Sequence, residues 1–274
     1  MPPIHISVLA LTTLSHSALL SATARRPNTV WLFLLSLLLS VTLSAADDRP
    51  APVVVELFTS EGCSSCPPAD QLLTVLDEEQ PVPGVQILVL SEHVDYWNRL
   101  GWTDPFSSAA FTGRQQRYAF ALSAFQTYTP QMVVDGRVEF AGSDARRARE
   151  VIAEAARAPK IPIDLQRAED PSGVTLWVRI DNPPANAPDT DVVLAITENN
   201  LASSVSRGEN AGRWLRHTAV VRRLSVLGPL KKGPFATAAG LRLDKSWKRE
   251  YLRAVVFIQE RKSLRILGAA ALPL

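Results

Sequence analysis

The chain of 274 residues contains two cysteines, Cys63 and Cys66, separated by two serines. A Cys-Ser-Ser-Cys string supports three chemistries: thiol–disulfide exchange, soft-metal binding, or an inert bridge. Its flanks bear on the choice. Val53-Val54-Val55-Glu56-Leu57-Phe58-Thr59 precedes it, a largely apolar, β-branched run of buried-strand type, followed by a turn through Ser60, Glu61 and Gly62. Pro67 and Pro68 follow, then Leu72, Leu73 and Leu76 at helical spacing. Proline is tolerated in a first helical turn because its missing N–H has no intrahelical partner there. The thiols are therefore expected at a helix N-terminus, where unpaired N–H groups and the helix dipole stabilise a thiolate. On this reading Cys63 is the nucleophile and the more exposed thiol, and Cys66 resolves the mixed disulfide. Ser64 and Ser65 can donate weak hydrogen bonds to Cys63, whereas Glu61 opposes a thiolate, so the redox direction stays open.

The metal alternative needs more ligands. Behind the cysteines only His93 and His217 offer imidazoles, since the other two histidines, His5 and His16, lie at the extreme N-terminus. Zinc normally takes four ligands. Thiolates suit Cu(I) and imidazole suits copper, so Cys63, Cys66 and His93 make a copper-binding or metal-delivery set on the alternative reading. The redox reading expects no cofactor. An inert bridge across so small a loop restrains little chain entropy. His93 follows a second apolar run directly, at the strand end where α/β sheets place functional groups, with Asp95 as its candidate partner. His217 is expected to be structural, and Tyr96, Trp97 and Trp102 to be core.

The elements that position these residues can be read in order. A helix from the cysteines to about Glu79 ends before Pro81-Val82-Pro83-Gly84, and residues 85–90 form a second strand. A polar, aromatic loop follows, then a helix from Asp104-Pro105 to about residue 125, with Phe111, Tyr118 and Leu122 as core. Residues 131–134 and 138–141 form a hairpin around Asp135-Gly136-Arg137. Ser143 is the expected cap of a helix over 144–158 that buries Ala148, Val151, Ile152 and Ala155. This order resembles a thioredoxin-like α/β domain, over 50–158. In that resemblance Tyr128-Thr129-Pro130 stands where a cis-proline faces the cysteines, so Thr129 and Pro130 are the implied substrate-binding residues. Residues 160–274 read as short strands broken by Pro, Gly and Asn, and predict a separate all-β antiparallel sandwich-like domain. Gly208 and Gly212 do not form a phosphate loop, because no Gly-Lys-Ser/Thr follows them; their segment is expected to pack on the neighbouring domain.

Several strings resemble a bacterial family of secreted proteins known as domain of unknown function 1223. They are the stretch 56–68 around the cysteines, His93-Val94-Asp95-Tyr96-Trp97, Gly101-Trp102-Thr103-Asp104-Pro105-Phe106, Tyr128-Thr129-Pro130-Gln131 and Gly208-Glu209-Asn210-Ala211-Gly212-Arg213. The resemblance implies a thioredoxin-like protein and lends no substrate.

Residues 1–46 hold no acidic residue and two basic ones, Arg25 and Arg26. The 14-residue apolar run 30–43 and Ser44-Ala45-Ala46 complete a secretory-signal pattern, and the run is shorter than the ~20 residues a bilayer span needs. The expectation is a periplasmic or secreted protein that meets a membrane only if this segment stays uncleaved. Setting aside the two arginines leaves 27 basic against 27 acidic residues, which gives no case for nucleic acid. The expected function is an exported thiol–disulfide oxidoreductase whose partner is a cysteine-containing protein substrate or redox donor.

Overall fold

Along β1 (Ala51–Thr59) every side chain from Val53 onward is buried, so the strand lies inside the protein on both faces. Its alternation splits two cores: Val53, Val55 and Leu57 face one, Val54 and Phe58 the other. Helix α1 (Pro67–Glu79) covers the first face with Ala69, Leu72, Leu73 and Leu76, and α3 (Ala145–Ala155) joins it with Ala148, Val151, Ile152 and Ala155. Helix α2 (Ala109–Ala121) covers the second with Phe111 and Tyr118. The structure, a computed structural model, describes residues 49–124, 126–170, 173–183 and 189–274. The expected signal segment 1–46 lies outside them. No described helix is long and apolar enough to cross a membrane.

Strand β2 (Val85–His93) runs parallel to β1 and places His93 opposite Thr59. Strand β3 (Gln131–Val134) pairs antiparallel with β1, and β4 (Val138–Ala141) with β3. The elements up to α3 follow the expected order, with two local corrections. Helix α2 starts at Ala109, where the Ser108 hydroxyl accepts the Ala110 N–H, so Asp104 stays in the preceding loop. Asp144, not Ser143, caps α3 by accepting the Arg147 N–H at 2.9 Å.

The second half comprises β5 (Asp164–Asp170), β6 (Gly173–Ile180), β7 (Thr190–Glu198), β8 (Leu201–Ser204), β9 (Trp214–His217), β10 (Val220–Leu230), β11 (Phe235–Leu241), β12 (Leu252–Glu260) and β13 (Ile266–Pro273). One eight-stranded sheet runs β13-β12-β7-β10-β2-β1-β3-β4, beside a three-stranded sheet β11-β6-β5 and the hairpin β8-β9. This corrects the expected division at residue 160: Arg49–Leu274 is one compact unit, and β10 joins β2 where Ser91 N–H donates to Ala219 O at 2.9 Å. An exposed β2 edge is a row of unpaired backbone groups, and β10 covers part of it. The three-stranded sheet packs against this shared sheet. Val174, Leu176, Val178 and Ile180 of β6 pack with Val192, Leu194 and Ile196 of β7 and with Ala254, Val256 and Ile258 of β12. Strand β11, Phe-Ala-Thr-Ala-Ala-Gly-Leu, was not expected because Ala and Gly carry little strand propensity.

Candidate functional site

Pro67 and Pro68 occupy the start of α1 with Cys66 at its N-cap position. The turn before it is closed by Cys63 N–H to Ser60 O and Cys66 N–H to Cys63 O, both 3.2 Å. Cys63 and Cys66 are joined as a disulfide, with Cα atoms 5.4 Å apart. The Ser65 hydroxyl lies 3.3 Å from Cys63 Sγ. Thr129 O stands 3.8 Å from the same sulfur, and the Thr129–Pro130 bond is cis. Trp97 Nε1–H donates to Thr129 Oγ1 at 2.8 Å and holds that loop in place. Gly62 lets Trp97 approach, since a Cβ at residue 62 would lie 3.1 Å from the Trp97 Cβ. Gly142 does the same for Pro130, where a Cβ would stand 3.2 Å from the proline ring and 2.7 Å from Leu57 Cδ1.

Cys63 is 1% exposed and Cys66 0%, so the expected exposure of Cys63 is not found. The reason is the loop between β8 and β9. Asn210 Nδ2 donates to Cys63 O at 2.9 Å and to Glu61 O at 2.8 Å, and the Glu209 carboxylate accepts the Ser64 N–H at 2.9 Å. The 208–213 segment therefore packs on the first half, as expected, and its place is the cysteine turn itself.

Beneath the turn lies a buried polar cluster. Asp104 Oδ2 accepts both His93 Nδ1 at 2.7 Å and the Glu61 N–H at 2.8 Å. The partner of His93 is thus Asp104 and not Asp95, which accepts the Thr112 hydroxyl at 2.6 Å. The Asp104 carboxyl is held below the usual carboxylate range, against its own burial, by His93 and by backbone N–H groups. Glu61, fully buried, accepts Trp102 Nε1–H at 2.8 Å, the Ser203 hydroxyl, and His217 Nε2 at 3.0 Å. His217, expected to be a separate structural residue, stacks edge-on against His93 with centroids 4.7 Å apart, and Phe106 lies 5.5 Å from both rings. Among the described residues His93 Nε2 and His217 Nδ1 have no hydrogen-bond partner. Asp70, one turn into α1, accepts the Thr59 hydroxyl at 2.9 Å, and burial pushes its carboxyl up to about 7.

Among the described residues no three His, Cys, Asp or Glu side chains converge as a metal-holding group, and Cys63, Cys66 and His93 are not brought into one. Asp70 and Asn210 are the site residues to which sequence reasoning gives no role of their own, whereas it reads Glu61 as a charge opposing the thiolate, Asp104 as a helix start and His217 as structural. The strings around Trp102-Thr103-Asp104 and Glu209-Asn210 that carried the family resemblance were the available signal.

A buried disulfide at the mouth of a helix, in a mixed α/β, mostly β protein built on one large sheet, is the class that fold and site define. The chain belongs to the family described as Protein of unknown function (DUF1223), which matches residues 54–259. It is similar to the crystal structure of a protein from Agrobacterium tumefaciens, 28% identical over 83% of this chain and 96% of that one, with a TM-score of 0.66. HBP35 of Porphyromonas gingivalis shares the fold at 15% identity over 82% of this chain and 76% of that one, TM-score 0.58. No curated protein matches the chain.

Proposed function

We propose that this protein is an exported thiol–disulfide oxidoreductase of thioredoxin-like type, acting on protein cysteines through Cys63 and Cys66. The observation that carries the reading is the pairing of the two sulfurs at the start of α1 with Thr129 O 3.8 Å from Cys63 Sγ. The element order from β1 to α3 and the cis bond before Pro130 support the thioredoxin-like assignment.

In the reducing direction the Cys63 thiolate attacks a substrate disulfide and the leaving sulfur takes a proton. Cys66 then gives up its proton, attacks Cys63 and releases the second substrate thiol, leaving the protein oxidised. Both steps reverse if the partner is a dithiol. The Thr129 carbonyl, held by Trp97, offers an acceptor to the backbone of the segment that carries the substrate cysteine. The partner is a cysteine-containing protein or a redox donor, and the signal-like segment 1–46 directs the chain to the periplasm or beyond.

The test is a trap. Cys66→Ser leaves a nucleophile without a resolver, so mixed disulfides with partner proteins should persist on non-reducing gels, and Cys63→Ser should trap none. Equal trapping by both variants, or by neither, overturns the reading.

A further inference from the structure

Arg99, Arg207, Arg213 and Arg216 are exposed, and none has an ion pair or side-chain hydrogen bond among the described residues. They sit on the segments that border the disulfide turn. Gly208, next to Arg207, approaches Trp102 and the Leu100 carbonyl beside Arg99. Arg213 closes the cover loop through Val205 N–H to Arg213 O at 2.9 Å. Arg216 and Trp214 share the outward face of β9 and line a cleft of about 350 Å³ against Pro67, Gln71 and Thr74 of α1. Trp214 is 63% exposed and Leu100 50%. The carboxylates of Glu61 and Asp104 are buried, and Asp70 is the one acid among the residues lining the Arg216 cleft. The one exposed acid in the cover, Glu209, accepts the Ser64 N–H, and hydrogen bonding to the Ser64 side chain, then to its amide, lowers the Glu209 pKa.

From this rim and the Glu209–Ser64 bond we infer that the face around Cys63–Cys66 docks an acidic segment of a cysteine-containing polypeptide, one of whose carboxylates replaces Glu209 on the Ser64 amide. The inference rests on the redox reading and names its substrate class. Losing the Glu209 tie loosens the cover loop over Cys63, which Asn210 still holds through Glu61 O and Cys63 O. Four unpaired guanidinium groups attract acidic chains and repel basic ones, and salt screens the attraction. An incoming thiolate attacks Cys63 Sγ, a peptide–Cys63 bond forms, the Cys63–Cys66 bond breaks, and Cys66 leaves as a thiolate that takes a proton. A second peptide thiol then displaces Cys63, giving a peptide disulfide and the dithiol protein.

The probes are three single-cysteine peptides of equal length flanked by Asp, Ser or Lys, each rate being divided by that peptide's rate with a small aromatic disulfide. At low ionic strength the Asp peptide should reduce the oxidised full chain about tenfold faster than the Lys peptide, and 0.5 M salt should erase most of the difference. The triple variant R207E/R213E/R216E should reverse the order. Equal normalised rates, a ranking indifferent to salt, or an Asp preference surviving in the triple variant overturns the inference. Dithiothreitol separates the two claims: reduction by dithiothreitol without charge ranking removes the docking face alone, whereas a failed Cys66→Ser trap removes the redox reading.

Discussion

Arg114, 2% exposed, donates to Glu56 at 2.6 Å, lies 3.3 Å from Glu92, and sends its other nitrogens to Gln259 and Tyr118. Glu61, equally buried, takes Trp102, Ser203 and His217 instead, with no guanidinium beside it among the described residues. Both clusters tie the first half of the chain to the second, through β12 in one case and through the β8–β9 hairpin in the other. They differ in how charge is balanced. A permanent cation anchors the first, and burial there pushes the Glu92 carboxyl well above the usual carboxylate range. In the second no guanidinium stands beside Glu61 among the described residues, and Asp70 titrates near neutrality. Both hold buried polar atoms without a hydrogen-bond partner among the described residues, Glu92 Oε1 and Oε2 in the first and His93 Nε2 and His217 Nδ1 in the second, and such groups are costly. Clusters of titratable groups with shifted pKa values gather at functional sites. The guanidinium cluster is a structural tie. The one around Glu61 lies under the disulfide and holds, in Asp70, a charge that pH can change.

The largest effect should come from breaking the guanidinium cluster. Arg114→Met strands buried carboxylates without their cation and should cost about 3–5 kcal/mol in urea denaturation, most of it recovered when Glu56→Gln and Glu92→Gln are added. A loss below about 1 kcal/mol would show that Arg114 is no anchor.

Asp70 gives the next effect, and its sign is fixed by linkage. Its carboxyl rises from the ordinary 3.8 to about 7, through burial, with His217 and Thr59 pulling it back and Asp104 and Glu61 pushing it further. Below 3.8 both folded and unfolded chains hold the proton; between 3.8 and about 7 only the folded chain does. Stability should therefore fall by a few kcal/mol, to order of magnitude, as pH rises through that window, and level off above it. Asp104, held low, titrates beneath the window and contributes a constant amount across it. Denaturation midpoints for Asp70→Asn should lose this slope. A variant as steep as the wild type would move the titration elsewhere.

The smallest effect distinguishes one site from two. The rings of His93 and His217 touch, so His93→Gln and His217→Gln should be non-additive, with a coupling of about 0.5–1.5 kcal/mol in a double-mutant cycle. Strict additivity would return His217 to a separate structural role.

Helix α1 and the cysteine turn were legible because their determinants are local. Prolines at a helix start, leucines at helical spacing and an apolar run before them act over a few residues, and α1 ends at Glu79 as its spacing predicts. Strand character in the second half was legible for the same reason, whereas strand neighbours were not. Alternation marks a buried face without saying which sheet receives it, so the meeting of β10 and β2 across 129 positions, Ser91 to Val220, had no local signature. The site divides likewise. Cys63, Cys66, Thr129 and His93 are visible by residue type and spacing. Asp104 displaces Asp95 because the loop after β2 folds its carboxylate back onto His93 and the Glu61 amide. Glu209 and Asn210 reach the cysteine turn from 145 and 147 positions away, and His217 reaches Glu61 from 156. The sequence by itself determined a cysteine pair at a helix start; only the tertiary structure decided what covers it and which buried charges lie beneath, because hydrogen bonds at such separations follow from how the sheet closes and from no period in the chain.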